Sequence, residues 1–152
     1  MKLKMKALSP KLGTEIPFPT YATPGAAAMD LRACTDGPIM IHQGETVFVP
    51  TGLAISFEPG YVALLFPRSG LACKEGLSLA NGVGVIDSDY RGEVMVALHN
   101  HNTTDHTPKT IQPGDRIVQL AIVPVVHCDI EAVDDLDDTE RGTGGFGSTG
   151  KT

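Results

Sequence analysis

The sequence lacks long hydrophobic runs, and this absence limits what the protein can be. None of its 152 residues lies in a stretch approaching the roughly 20 consecutive apolar residues that span a bilayer. The start, residues 1–6, alternates basic and apolar side chains and then meets polar sequence and proline. That pattern indicates a first strand rather than the apolar segment of a signal peptide. We therefore expect no membrane partner.

Cysteine is scarce as well. The three cysteines, Cys34, Cys73 and Cys128, are odd in number, lie far apart and form no Cys-x-x-Cys motif. This argues against a disulfide framework and against a zinc site. We expect free thiols in a reducing compartment inside the cell: the cytoplasm or, in a eukaryote, the nucleus or an organelle. The histidine-rich segment 99–106 indicates a polar loop, with a metal site there as the alternative.

A basic surface stripe is also missing. Twelve lysines and arginines stand against 18 aspartates and glutamates, which gives a net charge of −6. Affinity for long nucleic acids depends on cations that displace counterions from the phosphates, so such a partner is not expected. The acidic run 134–138 is typical of a solvated linker.

Helical periodicity over ten or more residues is absent, and short strand-like runs recur instead. The 17 glycines and 11 prolines fall between these runs, so they indicate turns rather than disorder. The pattern predicts one all-β domain over residues 1–133, a jelly-roll-like sandwich or barrel, with one short helix near 71–75. Residues 134–152 would form the linker and a flexible Gly-rich C-terminal tail. The predicted strands include 39–41, 46–49, 53–57, 61–66, 77–79, 116–123 and 125–133.

The most informative stretch, residues 81–98, is typical of a β-hairpin. Asp87 directly follows an apolar pair, where an unpaired carboxylate is costly unless something uses it. Tyr90 can present an aromatic face nearby, and Gly82 and Gly84 leave backbone groups accessible. These features suit a pocket that recognises a flat polar ring with the main chain and keeps one carboxylate as a base. The alternative is an edge hairpin with a solvated acidic turn.

Two earlier segments carry candidate polar groups. Arg68, Ser69 and Gly70 follow an apolar strand and precede the predicted helix, an arrangement that can clamp an anion. A capped turn with a surface arginine is the alternative. Asp30 lies between apolar neighbours after small residues, which permits either a functional site or a simple strand entry with local hydrogen bonds.

A third polar pair opens the strand 116–123. Gln119 lies three residues beyond Arg116, so strict strand alternation predicts that they face opposite sides of the sheet. One of them could then face a site while the other makes a structural ion pair.

The C-terminal tail matches a phosphate-binding motif without its structural context. Residues 145–152 fit G-x-x-x-x-G-K-[ST], but neither a strand before nor a helix after the motif is predicted, which excludes the P-loop fold. The local chemistry remains, because a Gly-rich segment with Arg141, Ser148 and Thr149 can wrap phosphates through backbone N–H groups. Phe146, alone among glycines, could cap an aromatic ring.

Together these segments resemble the trimeric dUTPases, the deoxyuridine triphosphate nucleotidohydrolases. The resemblance runs from Tyr21 to Thr149 and includes five motifs in order, although the first has alanines where the family often has glycine. It implies a homotrimer that hydrolyses dUTP to dUMP and pyrophosphate, with each tail donated to a neighbouring subunit. The motifs are Ala28-Met29-Asp30-Leu31, Pro67-Arg68-Ser69-Gly70, Asn81 to Gly92, Gly114-Asp115-Arg116 to Gln119, and Arg141 to Thr149.

The resemblance also implies a role for each candidate residue. Asp87 would be the general base that activates water for attack on the α-phosphorus. Mg²⁺ would sit on triphosphate oxygens and waters, with Asp30 reaching it through water. Uracil and deoxyribose would be bound by Asn81, Gly84, Val85, Ile86, Tyr90, Met95 and Phe146, and the phosphates by Arg68, Ser69, Gly70, Gln119, Arg141, Gly147, Ser148 and Thr149.

Uracil presents an N3–H donor between two acceptors, a pattern that main-chain groups can match and that cytosine reverses at N3 and C4.

Two alternatives remain open from the sequence. A dCTP deaminase of the same fold would need a catalytic glutamate where this chain has Asp87 and Tyr90. A non-catalytic trimer could bind nucleotide as a regulator.

Overall fold

The computed structural model describes residues 1–103 and 106–145. Within these ranges the chain forms short strands joined by turns, with one single-turn π-helix at Leu71–Glu75, so the predicted all-β fold and helix are confirmed. No helix in the described part of the chain is long and apolar enough to cross a membrane. The strands are β1 Lys4–Ala7, β2 Met29–Arg32, β3 Ile39–Ile41, β4 Thr46–Pro50, β5 Leu53–Ser56, β6 Tyr61–Pro67, β7 Leu77–Leu79, β8 Gly84–Ile86, β9 Met95–Asn100, β10 Lys109–Ile111 and β11 Arg116–Pro124.

Two larger sheets and two ribbons enclose one apolar core in a jelly-roll-like barrel. One sheet has the strand order β2-β11-β6-β8 and the other β4-β9-β7, while β1 pairs with β5 and β3 with β10. All of these pairings are antiparallel. Alternate strand residues point inwards, and most of these inward-facing residues are aliphatic. Its fully buried side chains include Leu31, Ile41, Val49, Leu53, Leu98, Ile117 and Leu120.

Strand prediction succeeded where alternation or a dense apolar run was clear. The strands predicted at 39–41 and 77–79 are confirmed to the residue, and most others differ by one residue at an end. Strand β10 was missed, since its three residues contain a single aliphatic side chain. The strand predicted at 125–133 is wrong: the segment is irregular, and Ile130 is 97% exposed. After Val125, whose N–H donates to the Gly60 carbonyl at 2.9 Å, every side chain of the segment is exposed.

The predicted hairpin is also wrong in its pairing. Strand β8 pairs with β6, whereas β9 pairs with β4 and β7, so the two arms belong to different sheets. Gly84 explains the choice, because a Cβ there would lie 3.0 Å from the Cβ of Leu65 on β6. The missing side chain lets β8 lie tightly on β6, and a gap remains between β8 and β9.

A salt bridge ties the N-terminal loop to the body. Lys11 Nζ donates to the Thr35 carbonyl at 2.9 Å and to Asp36 Oδ1 at 2.6 Å. The hydrogen bond between the two side chains raises the pKa of Lys11 and lowers the pKa of Asp36. Its contribution to stability is therefore lost as the pH falls through the lowered pKa of Asp36 or rises through the raised pKa of Lys11. Solvent screening keeps that contribution small.

A buried asparagine joins β9 to its surroundings. Asn100 is fully buried, and its Nδ2 donates to the Ile41 carbonyl at 3.0 Å. Its Oδ1 accepts hydrogen bonds from the backbone N–H and side-chain Nδ2 of Asn102. The Asn102 side chain also donates to the Glu75 carbonyl at 2.7 Å, so one network connects β3, β9 and the end of the short helix.

We expect Asn100→Ala to lower the free energy of unfolding by about 2–4 kcal/mol, because it leaves a buried carbonyl and a backbone N–H without partners. Urea unfolding would measure the loss. The exposed Met40→Ala on β3 is the control and should stay within about 0.5 kcal/mol of the parent. Equal stability of both variants would show that the asparagine network contributes nothing.

Candidate active site

A pocket of about 250 Å³ opens where β8 and β9 separate. It brings together every residue between 81 and 95 that the sequence assigned to base, sugar or catalysis. These are Asn81, Gly84, Val85, Ile86, Asp87, Tyr90 and Met95.

One edge of β8 forms a wall of this pocket. Strand β8 is the terminal strand of its sheet, so in the described structure only its β6 side is paired. The other edge presents backbone N–H and C=O groups that a ligand can use. The turn into the strand is made by Gly82, whose φ of 71° favours glycine. The pocket therefore has main-chain donors and acceptors on one side, as recognition of a polar ring requires.

Asp87 lies at the pocket end of β8. Its backbone carbonyl accepts a 3.2 Å hydrogen bond from the N–H of Tyr90, which closes a tight turn. The side chain is exposed because the chain leaves the sheet directly after Ile86, so the cost of burying an unpaired carboxylate does not arise. Across the described ranges, no hydrogen bond or ion pair occupies the carboxylate. Its oxygens are therefore accessible to a ligand in the pocket.

Tyr90 is held by its own loop. Its hydroxyl donates to the Glu93 carbonyl at 3.0 Å. The ring lies so close to Gly92 that a Cβ there would be 2.2 Å from the hydroxyl oxygen, so a larger residue would displace the Tyr90 side chain. Glu93 is fixed in turn, because its Oε1 accepts the Gly52 N–H at 2.7 Å. With its hydroxyl engaged, Tyr90 offers the pocket a fixed ring.

Sequence reasoning missed part of the pocket lining. Phe48 comes from β4, a strand that the sequence places far from the predicted hairpin, and Ala97 and Glu93 complete the rim. A signal existed for Phe48. It alternates with the buried Val49 and therefore had to point away from the core. The remaining lining residues are the core side chains Leu65, Leu79 and Val94.

A second cluster is built around Asp30 on β2. Its Oδ1 accepts Arg68 Nε at 3.0 Å, and its Oδ2 accepts Arg116 Nη1 at 3.1 Å. Arg68 Nη1 also donates to the Arg116 carbonyl at 3.0 Å, and Arg32 donates to the Gly114 carbonyl at 2.7 Å. One carboxylate thus orients two guanidinium groups beside a cavity of about 280 Å³, whose lining includes three arginines, Arg32, Arg68 and Arg116, and two carboxylates, Glu75 and Asp115. Such a cluster suits phosphate oxygens.

A β-bulge brings Gln119 to the same face as Arg116. The register of β11 against β2 shifts between Arg116 and Val118, and Ile117 and Val118 are consecutively buried. Gln119 then lies opposite Asp30, whose carboxylate Arg116 contacts. The prediction of opposite faces is therefore wrong, because the bulge adds one residue to the alternation.

The remaining predicted phosphate contacts are placed only in part. Ser69 and Gly70 are exposed between β6 and the short helix, and no side chain caps that helix. Arg141 lies in the exposed C-terminal segment, where its Nε donates to the Gly144 carbonyl at 2.9 Å. The predicted phosphate contacts Gly147, Ser148 and Thr149 lie outside the described residues, as does the predicted base contact Phe146.

The two clusters do not meet in one protomer. Strands β2 and β8 form opposite edges of the same sheet, three strand spacings or roughly 14 Å apart. The cavity beside the arginines and the pocket beside Asp87 share no lining residue. The chain therefore holds two separate candidate half-sites, the pocket beside Asp87 and the cavity beside the arginines.

Direct metal ligands are sparse in the described ranges. No group of three or more His, Cys, Asp or Glu side chains is arranged to hold a metal ion there. The imidazoles of His99 and His101 meet edge to face, with centroids 4.3 Å apart, and His99 also hydrogen-bonds Thr46. All three cysteines carry free thiols, as predicted.

Comparison with known proteins identifies the family. The dUTPase family model matches residues 14–150. The deoxyuridine 5'-triphosphate nucleotidohydrolase of Tolumonas auensis is 50% identical over 151 residues, covering 99% of this chain and 98% of that protein. The corresponding protein of Hahella chejuensis is 54% identical over 149 residues, covering 97% and 96%.

A solved structure agrees with the sequence relatives. The dUTPase of Staphylococcus bacteriophage 80alpha, a G164S mutant solved with dUpNHpp, superposes with a TM-score of 0.83 at 26% identity over 98% of each chain. The match covers nearly the whole chain in sequence and in fold, including the strands that form both half-sites. The chain therefore belongs to the dUTPase family and is an enzyme that hydrolyses dUTP.

Proposed function

We propose that Asp87 is the general base of this dUTP hydrolysis. Its carboxylate lies free at the edge of the ring-binding pocket, and this observation carries the assignment. A water held by Asp87 transfers a proton to the carboxylate as its oxygen attacks the α-phosphorus. The bond from that phosphorus to the bridging oxygen breaks, and dUMP and pyrophosphate leave. A positioned base of this kind contributes roughly 10²–10⁴ in rate.

The pocket would select uracil through its main chain. The open edge of β8 at Val85 and Ile86, the backbone of Met95 and the side chain of Asn81 all border the same space. These groups can match the acceptor–donor–acceptor edge of uracil, whereas cytosine would leave buried groups unpaired. The fixed ring of Tyr90 would lie against deoxyribose and exclude a 2′-hydroxyl. The bacteriophage relative solved with dUpNHpp supports a nucleotide of this size.

The arginine cluster would bind the phosphates. Arg68 and Gln119 share a face with Asp30, and Ser69 and Gly70 follow Arg68 at the start of the helical segment. Arg141, Gly147, Ser148 and Thr149 of the tail would close over the triphosphate, and Phe146 over the base. Electrostatic stabilisation and positioning supply most of the catalysis in phosphoryl transfer, so several aligned cations are the expected machinery.

The residues around Asp30 fit Mg²⁺ only when the ion is bound to the triphosphate of the substrate. Both Asp30 oxygens are engaged by arginines, so the described residues provide no cage of free carboxylates. Mg²⁺ prefers to keep waters and to bind phosphate oxygens, with Asp30 at most in contact through water. When bound, it would neutralise charge on the triphosphate.

A homotrimer would join the two half-sites. The base pocket of one subunit would face the arginine cluster of a second, and the tail of residues 134–152 would reach a neighbouring site. The exposure of apolar side chains in the C-terminal segment supports such an exchange. Each one buried against a neighbour would contribute roughly 1.5–3 kcal/mol. Examples are Val126 at 86%, Ile130 at 97% and Leu136 at 87% exposed.

Asp87→Asn should lower kcat by at least ~10²-fold while dUTP still binds, because the amide keeps the shape of the carboxylate but accepts no proton. Pyrophosphate release measures turnover, and calorimetry measures binding. Asp89→Asn, an exposed carboxylate of the same turn, is the matched control and should remain active. Turnover by the Asp87 variant close to that of the parent would refute the assignment.

Deleting residues 141–152 should leave a folded trimer that has lost most of its activity, since the tail would close the site without stabilising the barrel. Light scattering gives the particle mass, and pyrophosphate release gives the activity. Lys151→Ala should remain active, because the P-loop lysine has no role in this fold. Normal hydrolysis by the truncated protein would contradict the proposal that the tail closes the site.

Asp30→Asn should lower kcat/KM for dUTP, because the amide holds the guanidinium groups of Arg68 and Arg116 less firmly. If Asp30 acts through the arginines, raising the Mg²⁺ concentration should not restore activity. Steady-state kinetics over a Mg²⁺ series tests this. Full restoration at high Mg²⁺ would instead assign Asp30 to the metal.

A further inference from the structure

Phe48 is the most exposed aromatic side chain in the described part of the chain. It is 67% exposed at the centre of β4, next to the fully buried Val49. Two other exposed apolar side chains border the same pocket, Val85 at 66% and Met95 at 40%. Single exposed hydrophobic residues are ordinary, but several around one cavity mark a surface that a ligand covers.

The sheet leaves open space beside the Phe48 ring. The register places Phe48 opposite Ala97 on β9. Ala80, directly after β7, donates its N–H to the Ala97 carbonyl at 2.9 Å. The row across the sheet is therefore one phenylalanine followed by two alanines. The small alanine side chains leave free space above the sheet, and the larger Phe48 ring borders this space on one side.

The Phe48 ring borders the same pocket as the backbone edge of β8 that has no strand partner in the described structure. A planar base that hydrogen-bonds to the main chain there would have apolar surface left over on its ring. An aromatic side chain can cover this apolar surface by ring contact, whereas hydrogen bonds act only on the polar edge of the base.

We propose that Phe48 is a nucleobase-contacting residue of this enzyme, which sets the affinity for the uracil moiety. The inference rests on the base pocket proposed above. The contact is distant from the reacting phosphorus and would be made equally in the ground state and in the transition state. Such uniform binding lowers KM without raising kcat.

The test is steady-state kinetics of Phe48→Ala with dUTP, together with inhibition by dUMP and by pyrophosphate. We expect KM for dUTP and the inhibition constant of dUMP to rise roughly two- to tenfold, with kcat within about twofold of the parent. Inhibition by pyrophosphate, which has no base, should not change. Phe48→Leu should recover much of the affinity, and Met40→Ala, an equally exposed residue on β3, should match the parent.

Ala97→Leu provides the converse test. The larger side chain would fill the free space beside the Phe48 ring and should raise KM for dUTP more than Phe48→Ala does. Unchanged KM in Phe48→Ala would overturn the proposal, as would an equal weakening of dUMP and pyrophosphate. A change in particle mass by light scattering would assign the ring to a subunit contact instead. These outcomes are independent of Asp87→Asn, which tests the chemistry rather than the base contact.

Discussion

The contact of β8 with β6 at Gly84 is the constraint on which the site depends. Because glycine carries no side chain, β8 lies against Leu65 and joins the sheet of β6 instead of pairing with β9. The separation of the two arms creates the pocket, leaves one edge of β8 unpaired and places Asp87 at its mouth. A conventional hairpin would have satisfied those backbone groups internally and left no space for a base.

The loop that joins β8 to β9 is held by hydrogen bonds within the loop and to Gly52, the residue before β5. Tyr90 bonds to the Glu93 carbonyl over a glycine, and the Glu93 carboxylate accepts the N–H of Gly52. Gly52 itself needs a positive φ of 67°, and a Cβ there would lie 2.7 Å from Cys34 Sγ. These contacts hold the loop in place beside the pocket.

An acidic chain that binds a polyanion needs local compensation. Its net charge is −6, yet Arg68 and Arg116 are held together by a single carboxylate, Asp30. At physiological salt, charges beyond a Debye length of about 8 Å are largely screened, so the nearby arginines outweigh distant surface carboxylates. The bulge in β11 adds Gln119 to the same face, which concentrates polar groups beside the cluster.

The sequence by itself determined the all-β class, the short helix and seven of the residues that line the pocket beside Asp87, because strand alternation, turn residues and motif spacing are local properties. It could not determine which strands pair, since pairing depends on contacts such as Gly84 against Leu65 that join distant segments. Nor could it reveal the bulge beyond Arg116, which reverses the alternation rule. Only the tertiary structure decided that Phe48 borders the pocket and that Asp30 holds two arginines. Strand alternation turns Phe48 away from the core but does not say which distant residues it meets, and Asp30 lies far from both arginines along the chain.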